Sequence, residues 1–366
     1  MGRGQAGVST STAVRLVLRK QWRAITAIAG AFVCHLGGPT PALADEGGVS
    51  FWIPGFFGSL AATPQTPGFS FGTIYYHTSV KAGADVAFAR QVSRGNITVP
   101  FTGNVDINLK ARADLAIGIA TYVFTDKVLG AQASVNLLVP YGRSFAEVDG
   151  TLTGGGPFGF TVSGSRSDAV TGFGDLVPQF ALRWNEGTSN WLAYVTGNIP
   201  VGAYNQNRLA NLGIGHQALD AGGGYTYFNP MTGYEFSSVV GLTYNFENTH
   251  TQYQNGVDLH WDMGASRFVT KEWQIGAVGY VYQQLSCDSG AGDRVGCFKS
   301  RVMGIGPQIG HLFQVGESHQ GYLNLKGYKE FAAQARPEGW NVWLTLLISP
   351  KAPEAAAPPA TRRIVK

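Results

Sequence analysis

Apolar and polar residues alternate with a period of two along most of this chain, the pattern of strands buried on one face. Across 105–115 the odd positions are Val105, Ile107, Leu109, Ala111, Ala113 and Leu115, and the even ones are Asp106, Asn108, Lys110, Arg112 and Asp114. A helix would scatter those charges around its circumference, whereas a strand gathers them on one face. Tyr234, Phe236, Val240, Leu242, Tyr244 and Phe246 alternate in the same way against Glu235, Ser237, Thr243 and Asn245. Val257, Leu259, Trp261, Met263 and Ala265 oppose Asp258, His260 and Asp262, and Phe180, Leu182 and Trp184 oppose Asp175, Gln179 and Arg183. Ala131, Ala133, Val135, Leu137 and Val139 oppose Gln132, Ser134 and Asn136, while Leu323 and Leu325 alternate with Tyr322, Asn324, Lys326, Tyr328 and Glu330. In a membrane barrel the apolar set faces lipid and the polar set faces the lumen.

Counted this way, the sequence predicts twelve strands, near 69–81, 103–124, 129–141, 172–185, 190–201, 217–229, 234–247, 256–270, 273–285, 300–314, 319–332 and 339–349. An even count is what single-chain bacterial barrels have. The connections alternate in length, with long ones near 82–102, 142–171, 202–216, 248–255, 286–299 and 333–338. The short ones, near 125–128, 186–189, 230–233, 271–272 and 315–318, carry turn formers such as Asn185-Glu186-Gly187 and Asn229-Pro230. Outer-membrane barrels place short turns in the periplasm and long loops outside. The expected fold is therefore all-β, a transmembrane antiparallel β-barrel of about twelve strands over 69–349, with both termini periplasmic. Aromatics at strand ends, Trp184 with Trp191, Trp273, and Trp340 with Trp343, suit the interfacial belts of such a barrel.

The amino terminus changes how charge is read. Arg3, Arg15, Arg19, Lys20 and Arg23 precede the apolar run Ala24–Val33, and Ala42-Leu43-Ala44 stands before Asp45 as an A-x-A cleavage site. The run is too short to span a bilayer, so residues 1–44 read as a cleaved signal peptide. Cys34 does not make a lipoprotein site, because bulky Phe32 and Val33 precede it. The five basic residues leave with the signal, and of 27 basic against 23 acidic residues only 22 basic ones remain. The apparent basicity thus implies no nucleic-acid partner. Charged residues are only 14 % and aromatics 12 %, with 50 glycines, a composition poorer in charge than a soluble domain of this size. Location in the outer membrane of a Gram-negative bacterium follows.

Two stretches fall outside the expected wall. Residues 350–366 are Pro/Ala-rich and read as a disordered tail. The 45–68 segment contains Phe51, Trp52, Ile53, Pro54, Phe56, Phe57 and Leu60 without period, too apolar to hang in water. It is expected to enter the periplasmic mouth as a partial plug or gate, or else to pack under the rim. Cys287 and Cys297, in one long connection, are expected to form a disulfide in an oxidising compartment.

Several motifs in order resemble a known family. They are Ile53-Pro54-Gly55 with Pro67-Gly68, Gly172-Phe173-Gly174-Asp175, Asn198-Ile199-Pro200-Val201-Gly202-Ala203-Tyr204, Gly306-Pro307-Gln308-Ile309-Gly310, and Leu325-Lys326-Gly327-Tyr328-Lys329-Glu330. Over roughly 47–349 the chain is similar to the "MetA-pathway of phenol degradation" family, outer-membrane transporters linked to aromatic catabolism and related to long-chain fatty-acid channels. The resemblance implies passive uptake of small apolar or aromatic solutes. The chain departs from many outer-membrane barrels in running from Leu346-Leu347-Ile348 into a tail rather than ending on an aromatic.

No catalytic constellation emerges, and no cofactor or metal is expected. Asp258 and Asp262 flank His260, but residues two apart on a strand are about 6.6 Å apart, too far for a tight pair. These side chains read as a lumen network, to which Asp175 and Arg183 are also assigned. The solute path is expected along Lys110, Arg112, Asp114, Asp175, Arg183, Asp258, His260, Asp262, Lys326 and Glu330, with Tyr280, Tyr282, Tyr322 and Tyr328 as amphipathic walls. Charges of both signs must be paired or hydrated, as ion-pair ladders or along a wet path. Twelve strands lie between barrels filled by their own side chains and wide aqueous pores. Passive transport is the expected function rather than enzymatic activity. The alternatives are an outer-membrane lipid-modifying enzyme and a plugged barrel that displays loops. Expected partners are outer-membrane lipid, lipopolysaccharide, the barrel-assembly machinery and a small apolar or aromatic solute.

Overall fold

The computed structural model describes residues 51–83, 103–154, 160–293, 297 and 299–351. The signal peptide expected at 1–44, the start of the plug segment at 45–50 and most of the 350–366 tail lie outside the described residues. The strands are β1 (Gly68–Ala82), β2 (Gly103–Val128), β3 (Ala131–Gly154), β4 (Phe160–Phe173), β5 (Val177–Glu186), β6 (Ser189–Gly197) and β7 (Ala218–Phe228). They continue with β8 (Tyr234–Asn245), β9 (Asp258–Phe268), β10 (Trp273–Gln284), β11 (Arg301–Val315), β12 (His319–Gln334) and β13 (Glu338–Pro350).

Apart from β4 and β5, which both pair with β3, each strand pairs antiparallel with its sequence neighbour, and β1 pairs with β13 as well as β2, so the sheet closes on itself. Closure removes the free edges that an open sheet would expose to lipid. The wall has twelve strands because β4 and β5 are two lengths of one. Tyr141 of β3 faces Phe173 of β4, and Leu138 of β3 faces Val177 of β5. Gly174-Asp175-Leu176 interrupt that strand.

Within 142–171, expected as a loop, residues 142–154 and 160–171 instead continue the ladder. β3 pairs with β2 as far as Gly103↔Gly154 and with β4 as far as Gly154↔Phe160, so the β2–β3–β4 sheet rises well beyond the rest of the wall. Above the membrane no lipid enforces strict alternation, and this Gly-, Ser- and Thr-rich stretch carries no clear period. The short connections 129–130, 187–188, 229–233, 269–272 and 316–318 lie at one rim, where β1 begins and β13 ends. The connections 198–217, 246–257 and 335–337 lie at the other.

The outer surface is apolar. Phe69, Trp191, Tyr234 and Trp273 ring the short-turn rim, and Tyr75, Tyr141, Phe173, Tyr244 and Trp340 ring the opposite end of the lipid-facing band. Trp343 is not in that belt. Being an odd number of residues from Trp340, it points inward, fully buried against Tyr76 and Phe56.

Lys110, Arg112 and Asp114 do not face the lumen. Leu109 and Ile117, with the opposite parity, are the buried residues of β2, and the charged set is exposed on the outside. Lys110 lies beside Glu147 and Asp149 of β3, and Asp114 accepts from the Tyr75 hydroxyl at 2.7 Å. The inversion has a simple cause. β2 leaves the bilayer near Ala116, the partner of Tyr75, and beyond that level its outer face meets water instead of lipid.

Candidate functional site

Residues 51–67 have no regular secondary structure, so their backbone groups need partners from elsewhere. The barrel wall supplies them. From the short-turn rim inward, Gln65 N donates to Gln132 Oε1 at 2.9 Å, and Gln132 returns a bond to Gln65 O at 2.6 Å. Ala62 N donates to Thr226 Oγ1 and Leu60 N to Glu235 Oε1, while Gln308 reaches the Ser59 hydroxyl. Deeper in, Asp262 accepts from Gly55 N at 2.9 Å and Phe57 N at 3.1 Å. From across the lumen, Lys326 Nζ donates to the carbonyls of Gly55, Phe56 and Phe57 at 2.6, 3.0 and 3.1 Å. The lumen charges Asp262 and Lys326 thus form neither an ion-pair ladder nor a wet path. They hold the main chain of the inserted segment.

The bend at Gly55 requires glycine. Its φ is +87°, and a Cβ there would lie 2.9 Å from the Tyr328 ring. Gly264 answers it in the wall, where a Cβ would come within 2.6 Å of Ser59 N. Above the bend, Trp52 stacks on the His260 ring with centroids 3.7 Å apart and planes 11° apart, and packs near Tyr194. Phe56 and Phe57 pack edge-on beside each other, each against Trp52. Phe51 borders the wall at Pro140 and Val177.

Around this segment the lumen divides into two sides. On β7–β9, His260 Nε2 lies 2.9 Å from Asp220 Oδ2 and 3.2 Å from the Tyr194 hydroxyl. Thr243 donates to the same Asp220 oxygen, and Asn245 donates to Asp258 at 2.8 Å. On β10, β12 and β13, with β1 beside them, Tyr280, Tyr282, Tyr328, Trp343 and Tyr76 form one buried cluster. Tyr280 donates to Glu330 at 2.7 Å and accepts from Asn341, and Glu330 also accepts from Gly339 N. Tyr322 donates to Gln274, and Arg183 donates to Ser134 near the short-turn rim. Asp220, Glu235, Tyr194 and Gln308 were not singled out from the sequence. Asp220 sits beside Gly222-Gly223-Gly224, where missing side chains erase the alternation, although Glu235 stood on a legible polar face.

An apolar cavity of about 60 Å³ lies between the segment and the wall, lined by Phe51, Trp52, Ile53 and Phe56 on one side. Ile117, Leu138, Pro140, Val177, Gln179 and Thr196 complete it. A dry apolar cavity of about 150 Å³ admits benzene, so a ring enters here only if the segment gives way. The run Gly68-Phe69-Ser70-Phe71-Gly72 has the spacing of a hydrolase nucleophile elbow but lies along β1, not at a strand-to-helix turn.

Asp175 does not join Arg183 in a network, since the two lie toward opposite ends of their wall strand. Asp175 fills the break between β4 and β5, where it accepts from Asn198 Nδ2, Gly202 N and Ile214 N. It thereby pins the connection between β6 and β7 over the inner face of the projecting sheet. Further up, Arg208 bonds Asp168 through Nε and Nη2 at 3.1 and 2.8 Å, while Leu209 N and Ala210 N donate to the same carboxylate. Between β10 and β11, Cys287 and Cys297 are joined by a disulfide, and Asp288 accepts from the Tyr253 hydroxyl.

The Arg208 guanidinium, with the two amides, holds the Asp168 carboxyl at about 2. A depressed folded-state value means the contact stabilises the loop above the ordinary carboxylate range and is lost as pH falls from about 4 toward 2. Hydrogen-exchange protection factors at Leu209 and Ala210 should be high at about pH 5 and collapse by about pH 2.5. In Asp168→Asn they should be low at both. Wild-type protection that stays constant across this range would refute the assignment.

The closed twelve-strand wall, its two aromatic girdles and its alternating rims define a Gram-negative outer-membrane β-barrel. The model of the MetA-pathway of phenol degradation family matches residues 89–346, and the chain belongs to that family. Among solved structures, the COG4313 outer membrane channel from Pseudomonas putida F1 is similar at 15 % identity and a TM-score of 0.56, covering 81 % of this chain and 98 % of that one. A FadL homologue of Pseudomonas aeruginosa aligns at 11 % identity and a TM-score of 0.32, covering 85 % and 98 %. No curated protein matches the chain.

Proposed function

We propose that this barrel is a passive channel for small apolar solutes, aromatic ones above all, with residues 51–62 as its gate. The observation that carries the reading is the apolar cavity between Phe51, Trp52, Ile53, Phe56 and the wall residues Ile117, Leu138 and Val177. It adjoins the buried tyrosine cluster, sharing Ile117 and Leu138 with it, so a ring descending from the long-loop rim meets mainly apolar and aromatic side chains. The family is that of the MetA pathway of phenol degradation, and the P. putida protein with the same fold is an outer membrane channel. In this reading the short-turn rim faces the periplasm and the gate closes that side. Gly55 and the Pro67-Gly68 bend are the ends of the moving piece. His260, Asp258, Tyr280, Tyr282, Tyr322 and Tyr328 border the path, and Glu330 sets the Tyr280 hydroxyl. Outside the wall, Lys110, Arg112 and Arg143 stand beyond the girdle, at a height suited to lipopolysaccharide phosphates.

The test is uptake of labelled toluene by Gram-negative cells with intact lipopolysaccharide. Cells carrying the barrel should show an initial rate several-fold above vector controls. Equal rates would leave a plugged barrel that only displays loops.

A further inference from the structure

One cation at the long-loop mouth is unused by everything above. Arg336 lies in the connection between β12 and β13, and its guanidinium folds inward over the Tyr282 ring, 4.3 Å from the centroid. Tyr282 is fully buried, so this places the guanidinium on top of the tyrosine cluster. Its Nη1 is shielded from solvent and has no hydrogen-bond partner among the described residues.

The acids close to it in sequence are committed elsewhere. Glu330 accepts from the Tyr280 hydroxyl and Gly339 N, both at 2.7 Å, and Glu338 Oε2 accepts from Ala333 N. A shielded guanidinium nitrogen without a partner carries a desolvation cost that a bound acceptor removes. Guanidinium matches a carboxylate in shape, offering two parallel N–H groups. Below it lies a mainly apolar cluster. Tyr282, Tyr76, Ile117 and Leu138 belong to one buried cluster, and Ile117 and Leu138 also line the cavity beside Phe56.

We propose that Arg336 is a capture site for aromatic carboxylates, binding the carboxylate while the ring rests on the tyrosine cluster. This rests on the channel reading and narrows its substrate class from apolar rings in general to rings bearing an anionic group. The buried acids Asp220 and Asp258 stand on the β7–β9 side, so the anion is held on the opposite wall, along the tyrosines.

The test uses the full mature chain in zwitterionic micelles, titrated calorimetrically with sodium benzoate or with neutral benzamide at mildly alkaline pH. Wild type should bind benzoate more tightly than benzamide. Arg336→Gln should weaken benzoate about ten-fold or more, the loss of a charge-assisted bond, and leave benzamide unchanged. Arg336→Lys, which keeps charge but not the fork, should fall between. Faster migration on unheated gels verifies that each variant is folded. Benzoate affinity equal in wild type and Arg336→Gln overturns the proposal. Toluene uptake is scored separately, so failed uptake with intact benzoate binding removes the channel reading and leaves the site standing.

Discussion

Barrels lacking residues 49–62 should conduct ions in planar bilayers about ten-fold or more better than intact ones, because twelve strands enclose more space than their own side chains fill. The intact lumen is closed by main chain rather than by bulk alone. The segment's amides and carbonyls occupy Asp262, Lys326, Glu235, Thr226 and Gln132. Once it is deleted, those groups turn to water, and a hydrated path opens where the segment ran. The same deletion should speed toluene uptake in cells. If conductance and uptake both stay at the intact level, the closure lies elsewhere and the gate assignment fails.

The second large effect is expected from Lys326→Met, which keeps length and apolar stem while removing the ammonium. Three carbonyls of the bend lose their donor at once, and Asp262 loses the cation facing it across the segment. Removing one partner from a buried charged arrangement costs about 3–5 kcal/mol. Every 1.4 kcal/mol is ten-fold in population, so the undocked fraction should rise about a hundred-fold or more. Single-channel records should then show frequent openings, and protease added at the short-turn side should cut within 51–67. The wall itself should survive, because its ladders run through the main chain of Lys326 and not through its side chain. A variant as silent and as resistant as wild type would show that Lys326 does not hold the segment.

Much of the wall is legible in the alternation. Tyr234 to Phe246 and Val257 to Ala265 read directly as one face toward lipid and one inward, and β8 and β9 have that arrangement. What alternation does not carry is which side of a strand is inside. In β2 the charged face of 105–115 is turned outward, since the strand has already left the bilayer. A rule that charge points to the lumen holds only at membrane depth. The same limit hid the β3–β4 extension, where water on the outer side relaxes the pattern. Trp343 stands three residues from Trp340 and therefore faces the other way, a parity that its place near the strand end concealed.

The site was legible in parts. Asp258, His260, Asp262 and Lys326 stand out as polar residues on otherwise apolar strands, and the apolar run from Phe51 to Leu60 stands out for lacking period. Nothing in either stretch says that one binds the backbone of the other, since main-chain groups are the same in every sequence. Arg336 lay in a connection without pattern. Its meaning comes from the Tyr282 ring beneath it and from the other commitments of Glu330.

The grip on the inserted segment also determines which changes it tolerates. Gln132, Thr226, Glu235, Asp262 and Lys326 all touch peptide groups, so they read where the chain is, not which side chains it carries. Gly55, wedged against Tyr328 with a left-handed φ, and Ser59, whose hydroxyl accepts from Gln308, are read by identity. Most single substitutions between Gly55 and Gly68 leave every anchor in place. Inserting or deleting one residue there shifts each peptide group past its partner. For this stretch the wall works as a ruler: it measures length more strictly than composition.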